Sequence, residues 1–267
     1  MPENNSTVAG SRSTLYSEAL LLSCVLSGSI FGGYVAFNRY LKQYKSATEI
    51  PARVFRKKWL RGRVTLVGDG DNFHFFHTPG RILGGWYWLR KVPRLEVIKS
   101  EENQAFFVKQ IVQKIWRKDG GRNMYLNLQS SFKGKRNLPT IAVRLCGVDA
   151  PERAHFGNAA QPYSEEALNW LRFTLLGRSV RIKPLSIDQY GRCVAKVNYW
   201  TWFGPKNVSL EMIKRGLGIV YEGKTCREFD GEEDLYKYHE AAAKKHKRGV
   251  WSLKKFETPG DYKKRIN

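Results

Sequence analysis

Cysteine, histidine and acidic residues are all scarce in this chain, and each scarcity narrows what it can be. The four cysteines, Cys24, Cys146, Cys193 and Cys226, form no C-x-x-C pair and no Cys/His spacing of the kind that builds a zinc site. They read as reduced thiols, a pattern that argues against a small disulfide-stapled secreted domain. His74 and His77 lie three apart in a strand-like segment and so point to opposite faces, which keeps them from sharing an ion. His155, three residues past Glu152, is expected to be an exposed loop histidine. Asp and Glu number 24 against 46 Lys and Arg, a formal net charge of +22. Such an imbalance concentrates polyanions around the molecule, so nucleic acid or an anionic membrane surface is the natural partner class. Charge alone does not choose between them.

One segment lacks charge altogether. Residues 19–37 (ALLLSCVLSGSIFGGYVAF) are uncharged and mostly apolar, close to the roughly 20 residues that cross a bilayer as a helix. A buried core helix would carry a polar stripe at every third or fourth position, and this run has none. It also lacks a clear small-x-small cleavage site and a basic leading flank, which argues for a retained anchor over a cleaved signal. Residues 39–63 hold nine bases and one acid, whereas Arg12 is the single base in residues 1–18. The positive-inside tendency therefore places the large carboxy-terminal part in the cytosol or an equivalent compartment. Gly28 and Gly32 form a G-x-x-x-G pair, a weak signal for a homodimer through close helix approach.

With 267 residues, the chain has room for one substantial domain beyond that anchor. The expected layout is a tail over 1–18, a transmembrane helix over 19–37, a basic linker over 38–53, a folded domain over 54–252 and a basic tail over 253–267. Residues 59–76 alternate apolar and polar side chains around a Gly-Asp turn, as a hairpin does, and TIAVRLCGVD reads as a further strand. Residues 163–176 predict a helix, with Pro162 before its first turn, Glu165 and Glu166 near its positive end and Gly177 as terminator. Strands return over 179–184 and 193–200, followed by helices near 208–215 and 232–247. The fold class predicted is α+β: a small β-barrel of the oligonucleotide-binding (OB) type with three helices, preceded by one transmembrane helix. Residues 80–137 fit no barrel strand and read as an insertion between two of them, with a helix over 103–116.

Cleaving a phosphodiester requires an activated water, charge neutralisation on the equatorial oxygens and a grip on the phosphate. Three short segments supply candidates: VGDGD (67–71), VRLCGVDAPE (143–152) and DQYGR (188–192). Arg144 on a strand and Glu152 eight residues later straddle a tight Val-Asp-Ala-Pro loop, so a guanidinium fork and a carboxylate can face one cleft. Arginine binds phosphate oxygens in a bidentate way that lysine cannot reproduce. Taken singly, each segment has a plain structural reading: Asp-Gly-Asp is a common hairpin turn, and Arg and Glu eight apart are common surface charges.

Together, in identity, order and spacing, the three segments resemble the staphylococcal-nuclease-like (thermonuclease) family. The resemblance runs from about Val64 to Trp251 and includes KRGLGIVY and the tail ending KRGVW. The anchored layout is further similar to a fungal group of probable endonucleases assigned to mitochondria. This resemblance implies a calcium-dependent endonuclease acting on DNA, RNA or both, leaving 3′-phosphates, and held in a mitochondrial membrane as a single-pass protein. It assigns Arg144 and Arg192 to the scissile phosphate, Glu152 to general base or water positioning, and Tyr190 to a terminal phosphate. Asp71, Asp149 and the Ala150 carbonyl are the implied Ca²⁺ ligands, which suits an ion that prefers oxygen. Asn72 and Ala150 stand where the family often has threonine, and Gln189 where it often has a base. The competing readings are a non-catalytic nucleic-acid-binding barrel and a membrane scaffold resting on anionic lipid.

Overall fold

The computed structural model describes residues 5–80, 92, 95–97, 128–130, 138–154, 157–221 and 229–266. His155, Cys226 and nearly all of the insertion expected over 80–137, its helix included, lie outside the described residues. The chain divides into two units, Met1–Lys42 and Gln43–Asn267.

The first unit is helix α1 (Asn5–Ala36), which runs into one π-helical turn over Phe37–Leu41. Within it, Tyr16–Leu41 is long and apolar enough to cross a membrane. Two of the serines in the apolar run are satisfied within the helix. Ser23 Oγ donates to the Leu20 carbonyl (2.8 Å) and Ser29 Oγ to that of Val25 (2.7 Å), as a bilayer interior demands.

The second unit begins earlier than the sequence suggests. Residues 43–53, expected as part of a linker, bury Tyr44, Ala47 and Ile50 in the same core as Val54. The Tyr44 backbone N–H donates to His77 Nδ1 (3.0 Å), and the two rings stack with centroids 4.9 Å apart. The basic composition that suggested a linker belongs to the side chains between these buried anchors.

Strands β1 (Leu60–Val67) and β2 (Asn72–His77) form an antiparallel hairpin with Val67 opposite Phe73. A short pair, β3 (Leu95–Val97) and β4 (Leu128–Ser130), lies within the insertion. Strand β5 (Ile141–Leu145) pairs antiparallel with β2 and leads into β6 (Val148–Asp149). Helix α2 (Ser164–Leu175) follows, and then β7 (Ser179–Ile187), β8 (Cys193–Thr201) and β9 (Gly204–Asn207) form a meander. Strand β7 pairs with β1, and β5 runs parallel to β8 with Val143 opposite Cys193. These last pairings close a five-stranded barrel, β1-β2-β5-β8-β7, with β9 outside the ring. Irregular register at Val64/Leu66 and Pro184/Ser186 supplies the bends that closure needs.

Alternate residues point inward, so Val64, Phe73, Phe75, Ile141, Val143, Leu145, Ile182 and Val197 are fully or nearly fully buried. Helix α2 packs on them through Ala167, Leu168, Leu171 and Leu175, the apolar stripe that its spacing predicts. Burying a side chain of this size contributes about 1.5–3 kcal/mol. Helix α3 (Val208–Arg215) is capped by the Asn207 side chain, which accepts from the Ser209 and Leu210 N–H groups, and ends at Gly216. Strand β10 (Ile219–Val220) pairs with β6, and helix α4 (Glu233–Lys245) packs against α3. The architecture is the expected OB-type barrel with helices. It also has a further helix, α5 (Pro259–Ile266), in the stretch expected as a basic tail.

Candidate active site

The three motif segments meet at one place because strand pairing brings them there. Asn72 at the start of β2 lies opposite Arg144 on β5, and Arg144 lies opposite Val194 on β8, two residues past Arg192. The Leu145 N–H donates to the Asp71 carbonyl (2.9 Å), locking the Asp-Gly-Asp turn to the end of β5. Gly70 makes the close approach of that turn to the 149–152 loop geometrically feasible: a Cβ there would sit 2.7 Å from that of Ala150.

Arg144 is at the centre, its side chain 14% exposed. One terminal nitrogen contacts Asp149 Oδ1 at 3.0 Å and Asp71 Oδ2 at 3.3 Å. Its guanidinium also lies 5.2 Å from the centroid of the Tyr221 ring. Burial opposes its charge, but Asp71, Asp149, Tyr221 and Asp188 together hold its pKa above the ordinary arginine value. Asp149 shifts the other way for an acid: burial raises its pKa, and the neighbouring Lys263 and Arg144 offset this only in part. Asp69, on the same turn as Asp71, is pushed up to about 6 by burial first and then by the charges of Asp71 and Glu152. The cleft therefore holds more buried carboxylate than its cations neutralise.

Arg192 is fixed by a self-contained turn. Its Nε contacts Asp188 Oδ2 at 2.7 Å, while Asp188 Oδ1 accepts from the Tyr190 and Arg192 backbone N–H groups at 3.0 and 2.8 Å. Gly191, at φ +74, permits the tight reversal between β7 and β8. Tyr190 is 73% exposed with its ring 5.2 Å from the Arg192 guanidinium, so it presents an aromatic edge beside an arginine at the rim.

Glu152 is held from a distance. Its backbone N–H donates to Gln161 Oε1 (2.8 Å), its carbonyl accepts from the Gln161 N–H (2.8 Å), and Gln161 Nε2 donates to the Glu257 carbonyl (2.9 Å). The Glu152 carboxylate contacts Lys263 Nζ at 2.8 Å, and the same ammonium reaches Asp149 Oδ1 at 3.3 Å. Lys263 lies in the stretch expected to be a basic tail over 253–267. It instead enters the site. Gln161, Asp188 and Tyr221 are further site residues to which the sequence assigned no role; Asp188 and Tyr221 lie within quoted segments, DQYGR and KRGLGIVY, and Gln161 carries no local signal.

Asp71, Asp149 and the carbonyl of buried Ala150 offer a donor set made only of oxygens, which suits a hard divalent cation. Among the described residues, no group of three or more His, Cys, Asp or Glu side chains forms a complete cage. Two carboxylates leave coordination positions for water and phosphate, as a catalytic ion requires.

Residues 142–253 match the family model described as staphylococcal nuclease homologue. The chain is 55% identical to a protein of Zygosaccharomyces rouxii over the full length of both. It is 53% identical to one of Eremothecium gossypii over 99% of each chain. It is also 50% identical to one of Saccharomyces cerevisiae, covering 96% of this chain and 98% of that one. All three relatives bear the name probable endonuclease LCL3.

Proposed function

Because the chain belongs to the staphylococcal-nuclease-like family, within its group of full-length fungal probable endonucleases, we propose that it is a Ca²⁺-dependent endonuclease tethered to a membrane by α1. Its enzyme class, a nuclease of the hydrolase type, follows from that membership; metal, substrate and tether are the finer reading. The observation that carries it is the contact of one Arg144 nitrogen with both Asp71 and Asp149. A guanidinium in that position has further N–H donors for a phosphate oxygen.

Asp71, Asp149 and the Ala150 carbonyl would hold the ion. When bound, Ca²⁺ would neutralise charge on the phosphate and orient the attacking water. Arg144 and Arg192 would grip the non-bridging oxygens from two strands, and their charge would stabilise the extra negative charge of the transition state. Glu152 would take a proton from the attacking water as its oxygen bonds to phosphorus; the P–O5′ bond breaks, and the 5′-oxygen leaves as a hydroxyl after taking a proton from solvent, so the other fragment ends in a 3′-phosphate. Tyr190, exposed at the rim, would rest against a terminal phosphate or a neighbouring nucleotide. The formal charge of +22 favours delivery of DNA or RNA to this cleft.

The test uses the full chain in detergent micelles with single-stranded DNA, duplex DNA and RNA, in Ca²⁺ or chelator, beside Asp149→Asn. Cleavage that needs Ca²⁺ and is lost in the variant supports the reading and identifies the substrate. Tight binding without cleavage in every condition replaces it with a non-catalytic binding barrel. Mitochondrial residence is part of the proposal and rests on the resemblance in layout. A fluorescent fusion of residues 1–60 should colocalise with mitochondria, and a reticular pattern would contradict it.

A further inference from the structure

Helix α5 is anchored with unusual care for a terminal segment. Tyr262 is buried and its hydroxyl donates to the Ala159 carbonyl at 2.7 Å. Thr258 Oγ1 accepts from the Asp261 N–H at 3.1 Å, fixing the first turn. Arg265 pairs with Glu257 at 2.8 Å, and the Glu257 carbonyl receives Gln161 Nε2. The Tyr262–Ala159 and Gln161–Glu257 bonds tie α5 and the residues before it to the loop that follows Glu152, while the Thr258 and Arg265 contacts stiffen α5 itself. The consequence is that Lys263, the next residue after the Tyr262 pin, places Nζ 2.8 Å from Glu152 Oε1 and 3.3 Å from Asp149 Oδ1.

We propose that Lys263 sets the cation affinity of this site: its ammonium is an internal competitor for the divalent ion, held over Asp149 and Glu152 by the docked α5. The inference rests on the metal-dependent reading above and adds to it a residue that no motif contains. Charge supports it. Asp71, Asp149 and Glu152 are faced by Arg144 and Lys263, because Arg192 is engaged with Asp188. With Lys263 in place, the three carboxylates that it and Arg144 contact meet two cations; with Lys263 withdrawn they meet Arg144 alone, a negative excess that a divalent ion can fill. An ammonium and a divalent ion on the same Asp149 oxygen repel each other, so the two occupancies exclude one another. The exchange requires no unfolding. The Lys263 side chain is 39% exposed on a flexible four-carbon stem, while the Tyr262 pin stays buried.

Mutually exclusive binding of this kind typically changes affinity by about 5–150-fold. The test is calorimetric titration of the full chain in detergent with Ca²⁺ alone, without nucleic acid. Lys263→Met should bind Ca²⁺ about tenfold or more tightly than the wild type. Lys263→Arg should stay near wild type, and Tyr262→Ala, which loosens the pin, should fall between. Asp149→Asn in both the wild-type and Lys263→Met backgrounds locates the titrated site. If Lys263→Met binds Ca²⁺ no more tightly than wild type while Asp149→Asn abolishes binding, the competitor role is overturned and the metal site stands. If binding survives Asp149→Asn in both backgrounds, or no variant binds Ca²⁺, the metal reading fails and this inference fails with it.

Discussion

The two arginine–carboxylate halves of the site are built in contrasting ways. Arg192 sits in a five-residue turn whose hydrogen bonds all close within Asp188–Arg192, around one carboxylate and one glycine. Glu152 sits in a loop held by partners that are remote in sequence: Gln161 reaches Glu257, 96 residues on, and Lys263 reaches Asp149, 114 residues back. A local turn forms wherever its own sequence is present. A loop held by the far terminus is only as well placed as the docking of that terminus, and so it can be adjusted by it.

Substitutions should expose that contrast. The largest effect expected is at Glu152 itself: Glu152→Gln keeps the backbone bonds to Gln161 and should lower kcat by about a hundredfold or more, the usual range for loss of a general base. Next is Asp188→Asn, which keeps an oxygen for the two backbone N–H groups but removes the charge facing Arg192. Its kcat/KM should fall by about tenfold, with a smaller drop in Tm than at Gln161, because the lost charge-assisted bond of about 1.5–3 kcal/mol acts partly in the transition state and the turn keeps its backbone bonds. Gln161→Ala should show the opposite balance. It leaves the partly buried Glu152 N–H and the Glu257 carbonyl without this partner, at a cost of about 1 kcal/mol or more in stability, so Tm and activity should drop together. If Asp188→Asn destabilises as much as Gln161→Ala, the local turn is not self-sufficient.

Smaller effects probe the barrel beneath. His74 bonds Thr140 at 3.1 Å across the β2–β5 region, and burial lowers its pKa. The unfolded chain therefore binds that proton more tightly, so stability is complete above the ordinary value of 6.5 and declines as the pH falls below it. His74→Phe should flatten that decline, by an amount on the order of 2 °C in Tm between pH 7.5 and 5.5. Cys146, fully buried with its thiol pushed up to about 12, should resist alkylation at pH 8 until the protein is unfolded.

Much of the barrel was legible because its signals are local. Alternation over 59–76, the helix expected near 208–215 and the stripe on α2 each follow from neighbours within a few residues. The residues of Asp71, Arg144, Asp149 and Arg192 were legible as short motifs, and strand pairing brings them together. What escaped is long-range. Tyr44, Ala47 and Ile50 are scattered among bases, so composition read as a linker until packing against His77 was visible. Lys263 looked like one base of a basic tail, since nothing near it in sequence marks a partner 114 residues away.

The most direct measurement is the fate of a 5′-labelled oligonucleotide incubated with the full chain, wild type or Glu152→Gln, in Ca²⁺. The proposed function predicts internal cleavage to fragments ending in 3′-phosphates with the wild type and intact, still-bound strand with the variant. Equal cleavage by both proteins, or none by the wild type, would contradict it.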